Sequence, residues 1–293
     1  MELRHLRYFI KAAELLHFTR AAESLYISQP TLSVHIQQLE EELGTPLFAR
    51  VGRNVRLTQA GQLFLCRALR AVHELETAGI EIDAIKGLLR GKLCVAALPL
   101  YGRMLMPKWI SEFNSLHPNV HIHARAGSSD DIETGIISGA IDLGISMLPA
   151  EHSEINVTDL FVDEIMLVIS TKHPLANVKV LQQSDLVGLP LALPSQKISA
   201  SRVIGKYFES QNIDPLIAVE HDDGHSLLEL IKLGQFVTAL PKRALPPDPE
   251  FVTKSLPGGG LTCGLGALWT NLSPASKAFL DIALNSVQVG AAI

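Results

Sequence analysis

The sequence predicts an all-α winged helix-turn-helix domain, a long linker helix and an α/β domain of two lobes. Three observations support this fold class. Helix caps and apolar residues at helical spacing fill the first 58 residues, an apolar seam follows them, and strands alternate with helices beyond Gly91. We place the first domain at 1–58, the linker helix at 59–90 and the α/β domain at 91–293, with lobe 1 at about 91–161 plus 267–293 and lobe 2 at about 162–266.

Two helices are predicted at the start of the chain. Leu3, Leu6 and Phe9 recur at the spacing of one helix face, which predicts the first helix. Thr19 is a candidate N-cap, so we expect a short second helix to follow it as far as Leu25.

A third helix is predicted to begin after Ser28. Serine is a common N-cap, and Pro30 falls in the first turn, where its missing N–H costs nothing. Gly44 is a typical residue to end the helix. Two short helices joined by a brief turn predict a helix-turn-helix. The apolar residues of the third helix follow at intervals of four, three and four, at Leu32, Ile36, Leu39 and Leu43.

The distribution of charge matters more than its sum. The formal net charge of −5 would by itself disfavour binding to nucleic acid. Residues 1–58, however, hold seven Lys or Arg against six Glu, and no acid lies between Arg50 and Arg56. Gly52–Asn54 supplies a turn between two short strands, so this segment is predicted to form a small basic β-hairpin, the wing.

A longer helix is predicted to follow, capped by Thr58. Its apolar seam can pack on its own domain or on the same helix of a second chain. The second alternative is favoured, because little other core is available locally. The seam alternates spacings of three and four and consists of Leu65, Ala68, Val72, Leu75, Gly79 and Ile82.

The remaining chain alternates strands and helices in two sets, which predicts two lobes with largely parallel sheets. Strands are expected at 92–98, 120–126, 142–147, 165–170, 189–193, 217–220 and 236–240. Helices are expected at 104–116, 130–138, 202–210, 226–233 and 275–284, the last of them capped by Ser273.

Several classes of protein and site are disfavoured. The three cysteines, Cys66, Cys94 and Cys263, form no CxxC pair, so we expect buried structural thiols and neither a disulfide scaffold nor a zinc site. No apolar run approaches the roughly 20 residues of a spanning helix and no signal peptide is evident, so the cytoplasm is expected. His121 and His123 share a strand face without a third ligand, and no nucleophile motif occurs. No catalytic residue, metal or cofactor is predicted.

Several segments resemble the LysR-type transcriptional regulators. The N-terminal matches are Phe18–Leu25, Ser28–Ser33, Leu39–Gly44, Pro46–Phe48 and Leu57–Gly61, and looser matches are Gly135–Gly144, His173–Ala176 and Leu240–Pro241. The resemblance implies a winged helix, a dimerising linker helix and a two-lobed effector domain like periplasmic binding proteins. It implies a regulator of transcription, switched by a small metabolite between the lobes. The implied partners are double-stranded DNA, a homodimer or homotetramer partner and, as a further candidate, RNA polymerase.

The face of the third helix opposite its apolar stripe is predicted to read bases in the major groove, with the wing on the phosphates or in the minor groove. A solvated helix face is the alternative for any single residue. The candidate DNA-binding residues are Thr19, Arg20, Ser28, Gln29, Pro30, Thr31, Ser33, Val34, His35, Gln38, Arg50, Arg53 and Arg56.

The turns from strand to helix are predicted to face the cleft between the lobes, where helix N-termini can hold an anionic effector. Many relatives have Ser or Thr where Leu100 stands, which disfavours recognition by a hydroxyl there. For each serine an ordinary N-cap is the alternative, and for Arg103 a solvated side chain. The candidate effector-binding residues are Leu100, Tyr101, Gly102, Arg103, Ser128, Ser146, Pro194, Ser195 and Ser199.

A rival hypothesis is a solute-binding protein or an enzyme built on the two-lobed domain, with the N-terminal unit serving only association. The basic hairpin beside a polar helix tip favours the regulator, because a pure binding protein has no use for that pairing.

Overall fold

The computed structural model describes residues 1–51, 54–85, 89–195 and 198–290. They form two compact units, Met1–Leu88 with Ile137–Ala140, and Leu89–Ile136 with Ile141–Ile293. Within the described ranges, no helix is long and apolar enough to cross a membrane.

The first unit has the predicted winged helix-turn-helix order, followed by the long helix. Its hairpin is antiparallel, with Phe48 opposite Leu57. Arg53 and Gly52, at the predicted turn of the wing, lie outside the described residues. The elements are α1 (Leu3–Leu15), α2 (Phe18–Ser24), α3 (Gln29–Leu43), β1 (Phe48–Val51), β2 (Asn54–Leu57) and α4 (Gln59–Ile85).

Three of the predicted helix ends are confirmed. The Ser28 hydroxyl accepts a hydrogen bond from the Thr31 N–H at 3.2 Å. Gly44 ends α3 in the left-handed region with φ 67°. The Thr58 hydroxyl accepts from the Gly61 N–H at the start of α4, at 2.9 Å.

The expected cap at Thr19 is wrong. The N-cap of α2 is His17, whose Nδ1 accepts from the Arg20 N–H at 3.4 Å. The helix starts earlier because Phe18 takes part in the core, where its ring lies 5.2 Å from the ring of Phe48. Thr19 therefore lies inside the first turn.

The core of the first unit is built around Phe9, which is fully buried and contacts the rings of Phe48 and Phe64 at 5.5 and 5.1 Å. The start of α4 packs directly on the chain before the hairpin. A Cβ at Gly61 would lie 2.1 Å from the carbonyl oxygen of Leu47, so only glycine allows this approach.

The apolar seam of α4 is covered over only half its length within the first unit. Ala68 is buried, and Leu65 and Val72 pack against the core. Leu75 and Ile82, further along the same seam, are 58% and 55% exposed.

The second unit has two lobes. In the described part of this unit, short 3-10 turns at Pro174–Asn177, Gln183–Leu186 and Lys242–Ala244 lie between the longer elements. These are β3 (Gly91–Ala97), α5 (Pro99–Leu116), β4 (Val120–Ala126), α6 (Ser129–Ile137), β5 (Leu143–Leu148), β6 (Asn156–Ser170), β7 (Pro190–Pro194), α7 (Ser199–Ser210), β8 (Leu216–His221), α8 (Gly224–Lys232), β9 (Val237–Pro241), β10 (Phe251–Ser255), β11 (Thr262–Trp269) and α9 (Pro274–Gly290).

The strand order is β4-β3-β5-β11-β6-β9-β7-β8, with β10 also paired to β6. Parallel pairing, as predicted, joins β3 to β4 and β5, and β7 to β8 and β9. The prediction is wrong for the strands that connect the lobes, because β6 and β11 pair antiparallel to all their neighbours. β6 pairs with β11 as far as Glu164 and with β9 from Ile165 onward, so it passes from lobe 1 to lobe 2.

Two of the three cysteines are buried, as expected, and burial raises the pKa of the Cys94 thiol and raises that of Cys263 to about 11. The expectation is wrong for Cys66, which is exposed on α4, since it lies off the apolar seam. His121 and His123 are exposed on the edge strand β4, and the described residues contain no cluster of three or more potential metal ligands.

Candidate nucleic-acid interface and interlobe cavity

The N-terminal turn of α3 presents ordered polar side chains to solvent. Gln29 and Thr31 are exposed, and Ser33 is partly exposed. The Gln29 amide donates a hydrogen bond to the Ser33 hydroxyl at 2.7 Å, and the hydroxyls of Ser28 and Thr31 lie 2.7 Å apart. These bonds hold the side chains in place at the tip that is predicted to enter the groove. Ser28, Pro30, Val34 and Gln38 are exposed as well.

His35 lies elsewhere than its predicted position on the base-reading face. Its ring packs against α1, with centroids 5.1 Å from His5 and 5.2 Å from Tyr8. The ring is attracted to this side because α1 supplies an aromatic surface, which the periodicity of α3 alone does not reveal. Its Nδ1 is buried and has no hydrogen-bond partner among the described residues.

The other candidate DNA-binding residues lie on α2 and the hairpin. Thr19 and Arg20 are exposed in the first turn of α2, and Arg56 is exposed on β2. The side chain of Arg50 lies outside the described part, as does the whole of Arg53. The hairpin is anchored to α3 by Glu40, whose carboxylate accepts from the N–H groups of Leu47 and Phe48 at 2.7 and 3.1 Å.

A cavity of about 610 Å³ lies between the two lobes of the second unit. Its walls are mostly apolar, with polar groups from the N-terminal turns of four helices. Lobe 1 contributes Leu98, Pro99, Leu100, Tyr101, Ser128, Asp130, Asp131, Met147 and Glu151, and lobe 2 contributes Pro194, Ser195, Ile198, Ser199, Ala200, Arg202, Asp222, Gly224, Leu240 and Pro241.

The described wall includes Leu100, Tyr101, Ser128, Pro194, Ser195 and Ser199 of the predicted set. It does not include Gly102, Arg103 or Ser146. Arg103 is exposed on α5, whereas Ser146 is fully buried beneath Ser129, with the two hydroxyls 2.8 Å apart.

Leu100 is the point where lobe 1 reaches into lobe 2. It packs against the apolar core of lobe 2. A Cβ added at Gly224 would lie 2.6 Å from its Cδ1 atom. The aliphatic side chain of Leu100 therefore closes the α5 end of the cavity against Gly224, the first residue of α8.

Two of the four helix N-termini are already satisfied by acids. The carboxylate of Asp131 accepts from the hydroxyl and the N–H of Ser128 at 2.6 and 3.0 Å, which lowers the pKa of Asp131. Asp223 caps α8 and accepts from the Ser226 hydroxyl at 2.7 Å, which lowers its own pKa.

The N-terminus of α7 has no such acid. Its N-cap, Ile198, offers no side-chain hydrogen bond, and its first turn contains no acidic residue. Arg202 lies near this end and forms an ion pair with Glu151 of lobe 1. The hydroxyl oxygen of Ser195 is buried without a hydrogen-bond partner among the described residues. Lys197 falls between two residues of the wall and lies outside the described part.

Sequence reasoning missed the charged residues of the cavity. The described wall carries four carboxylates, from Asp130, Asp131, Glu151 and Asp222, and a single guanidinium, from Arg202. Asp130 and Asp131 are adjacent, but Glu151, Arg202 and Asp222 lie far from them and from one another in the chain. Only the folding of the two lobes onto each other brings these groups to one cavity.

The loop that carries Glu151 is held by a buried carboxylate. Glu133 on α6 is 2% exposed and accepts from the N–H groups of Glu151 and His152 at 2.9 and 3.1 Å. Nδ1 of His152 lies 2.8 Å from the same carboxylate, and this hydrogen bond raises the pKa of His152. Glu133 thereby fixes the position from which Glu151 meets Arg202.

The chain matches two family models. Residues 3–62 match "Bacterial regulatory helix-turn-helix protein, lysR family", and residues 86–288 match "LysR substrate binding domain". The transcriptional dual regulator GltC of Bacillus subtilis is 33% identical over 87% of this chain and 85% of its own length. The Hca operon transcriptional activator HcaR of Escherichia coli is 33% identical over 82% of each chain.

Solved structures agree with these matches. CbnR complexed with its target DNA has a TM-score of 0.70 at 26% identity and covers 98% of this chain and 100% of its own. A full-length OxyR variant from Pseudomonas aeruginosa has a TM-score of 0.79 at 22% identity, with coverage of 99% and 95%, and supports the fold alone. The named relatives are regulators of transcription. This chain therefore belongs to the LysR family, DNA-binding transcriptional regulators with an effector-binding domain.

Proposed function

We propose that the effector of this regulator is a small molecule with one anionic group and a largely apolar body, bound in the interlobe cavity. The observation that carries this proposal is the uncapped N-terminus of α7. No side chain caps this end among the described residues, and the backbone N–H groups of a first helical turn favour a negative charge. The Ser199 hydroxyl, which is hydrogen-bonded to that of Ser129, and Arg202 lie at the same end. The buried Ser195 hydroxyl has no hydrogen-bond partner there among the residues that the structure describes.

The walls define the rest of the effector. A volume of about 610 Å³ lies within the usual range for small-molecule sites. Leu98, Met147 and Leu240 offer apolar contact. The exposed carboxylates of Asp130 and Asp222 would repel a second negative charge. The effector therefore carries a single anionic group.

Binding of the effector would act directly on the arrangement of the two lobes. The anionic group of the effector competes with Glu151 for Arg202, and this ion pair joins the two lobes. A ligand that replaces one partner of the pair has different affinities for different lobe arrangements, which is the condition for a conformational response.

The N-terminal unit supplies the DNA half of the mechanism. Gln29, Thr31 and Gln38 of α3 would contact base edges, and Arg56 would contact phosphate. Two copies, joined through α4, would read a near-palindromic site, and pairs of dimers would give a tetramer. This regulator would bind double-stranded DNA in the cytoplasm. Its contact with RNA polymerase would change the level of transcription.

The effector proposal is tested by calorimetric titration of the full-length protein with monocarboxylates from acetate to octanoate and benzoate. We expect binding to strengthen with apolar size, and benzylamine and phthalate to bind more weakly than benzoate. Arg202→Gln should abolish benzoate binding, and Glu151→Gln should tighten it, because a competitor is removed. If no monocarboxylate binds, or if benzylamine binds as well as benzoate, the proposal is wrong.

The DNA assignment is tested on a duplex selected by the protein from a random-sequence pool. Thr31→Ala should weaken binding to this duplex by about 1–3 kcal/mol and relax its base preference. Arg56→Ala should weaken binding to all duplexes alike and reduce the salt slope by about one. If Arg56→Ala relaxed the base preference and Thr31→Ala weakened binding to all duplexes alike, Arg56 would be the base-reading residue and Thr31 the phosphate contact.

A further inference from the structure

Tyr26 is an aromatic side chain that the protein leaves almost entirely in solvent. It is 96% exposed, and its hydroxyl makes no hydrogen bond among the described residues. It lies in the turn between α2 and α3, two residues before Ser28, the cap of α3. Val34 of α3, another exposed large apolar residue, is 51% exposed, so Tyr26 is the more exposed of the two.

The backbone at Tyr26 is also unusual. Its φ is 56°, in the left-handed region. The Ile27 N–H donates to the carbonyl of Ala22 at 3.0 Å, and the Tyr26 N–H donates to that of Glu23 at 3.1 Å. This pattern is the Schellman ending of α2, in which glycine is the preferred residue at the position of Tyr26. A residue with a Cβ destabilises the fold there.

The tyrosine side chain therefore brings no benefit to the fold of the free protein. An exposed ring contributes no hydrophobic stabilisation, and the left-handed backbone favours glycine. Strained positions of this kind point to a function when the site around them has one. Here the adjacent element is the N-terminus of α3. In a helix-turn-helix this end enters the major groove, which is bordered by the two sugar–phosphate backbones of the DNA.

We propose that Tyr26 is a DNA-contacting residue, whose hydroxyl donates a hydrogen bond to a backbone phosphate beside the groove that α3 enters. Tyrosine hydroxyls are among the side-chain groups that bind phosphate oxygens in protein–DNA complexes. The exposed ring projects from the turn that leads into the reading helix. A phosphate contact fixes the position and orientation of α3 without reading a base.

The proposal predicts opposite effects on stability and on DNA binding. Tyr26→Gly should raise the midpoint of thermal unfolding by a few degrees, because glycine fits the left-handed position. The same change should weaken DNA binding. Tyr26→Phe keeps the ring and removes only the hydroxyl, so it should weaken binding by about tenfold, the loss typical of a hydrogen bond to a charged group.

The test uses the full-length protein, a duplex selected from a random-sequence pool and an unrelated duplex of equal length. Both Tyr26 variants should lose affinity for the two duplexes to the same extent, because phosphates carry no sequence. The salt slope should stay unchanged, since tyrosine is neutral.

Leu16 provides the matched control. It also has a positive φ, 47°, and is 42% exposed, but it ends α1 and has no hydrogen-bonding side chain. Leu16→Gly should raise the unfolding midpoint without changing affinity for DNA. The proposal is overturned if Tyr26→Gly binds both duplexes as tightly as wild type, or if Tyr26→Phe does so while Tyr26→Gly does not. A change in oligomeric state without a loss of DNA affinity would instead assign Tyr26 to a contact between copies of the chain.

Discussion

The hydroxyl of Tyr101 donates a hydrogen bond to the carboxylate of Asp163 across 2.9 Å, and both residues are buried. Tyr101 lies on the wall of the interlobe cavity. Asp163 is on β6, opposite Cys263 of β11, next to the point where β6 leaves lobe 1. The same carboxylate accepts from the N–H of Arg243 at 3.0 Å. A single buried side chain thus links the cavity wall, the strand that crosses between the lobes and the 3-10 turn of lobe 2.

Removing the Tyr101 hydroxyl should destabilise the second unit. Tyr101→Phe keeps the ring in place and leaves the buried carboxylate short of one donor, which should lower the free energy of unfolding by about 1–3 kcal/mol. Chemical denaturation of the full-length protein measures the change. Tyr207→Phe is a suitable comparison, because that hydroxyl donates to the carbonyl of Pro257, an uncharged acceptor, at 2.8 Å, and its loss should cost less.

The pH dependence of stability should report on Asp163. Burial raises the pKa of this carboxyl, so the folded state holds its proton more tightly than the unfolded state does. The resulting stabilisation is present below the ordinary pKa of 3.8 and is lost as pH rises through the raised value. Asp163→Asn removes this dependence. Relative to wild type, the variant should therefore gain stability as pH rises above about 4, through the raised pKa of Asp163, and a difference that is constant with pH would contradict the assignment.

The effects of substitutions at Leu100 and Gly224 on the free energy of unfolding should depend on each other, because the two residues are in contact. In Gly224→Ala, the new methyl group overlaps Leu100, so the free energy of unfolding should fall by about 1–3 kcal/mol. Leu100→Ala in the same chain makes room, and the double variant should be more stable than the sum of the two single changes allows. Urea denaturation of the four proteins gives the interaction free energy.

Gly205→Ala is the control for the contact between the lobes. Gly205 is inside α7, and a Cβ there would have nothing within 4 Å. Alanine should therefore stabilise this helix by about 0.5–1 kcal/mol. If Gly224→Ala were equally stabilising, the two lobes would not be in contact at Leu100.

The sequence predicts the elements with strong local signals. Ser28, Gly44 and Thr58 mark helix ends through their own side chain or backbone, so those ends need no knowledge of the rest of the fold. β10 and β11 are missed. β11 contains Gly264 and Gly266, which favour turns in sequence but are accommodated here beside Leu148 of the neighbouring strand.

In the candidate sites, too, the sequence predicts what depends on local pattern and misses what depends on the tertiary fold. Spacing within α3 separates its apolar stripe from its exposed face, but it cannot show that α1 supplies aromatic neighbours for His35. Turns after strands predict the walls of the cavity. The pairing of Glu151 with Arg202 depends on two lobes meeting, and no local pattern carries that information.

The exposed half of the α4 seam should hold two copies of the chain together. Leu75 and Ile82 are 58% and 55% exposed at seam positions, and apolar surface repeated at this spacing is stabilised by a second helix. Leu75→Glu should shift the full-length protein toward monomer at micromolar concentration, as measured by sedimentation. The monomer should keep its helical content, because Leu75 does not belong to the core of the first unit.

Leu63→Glu is the matched control for this prediction. Leu63 is on the same helix and is 66% exposed, but it lies two residues before Leu65 and so on the other side of α4. This variant should remain a dimer. Loss of the dimer should also weaken binding to a near-palindromic duplex far more than binding to a single half-site, since only the former uses two readers at once. If Leu75→Glu and Leu63→Glu have the same oligomeric state, the seam is not the interface. If Leu75→Glu is monomeric yet binds the palindrome as tightly as wild type, dimerisation through α4 is not what couples the two reading helices.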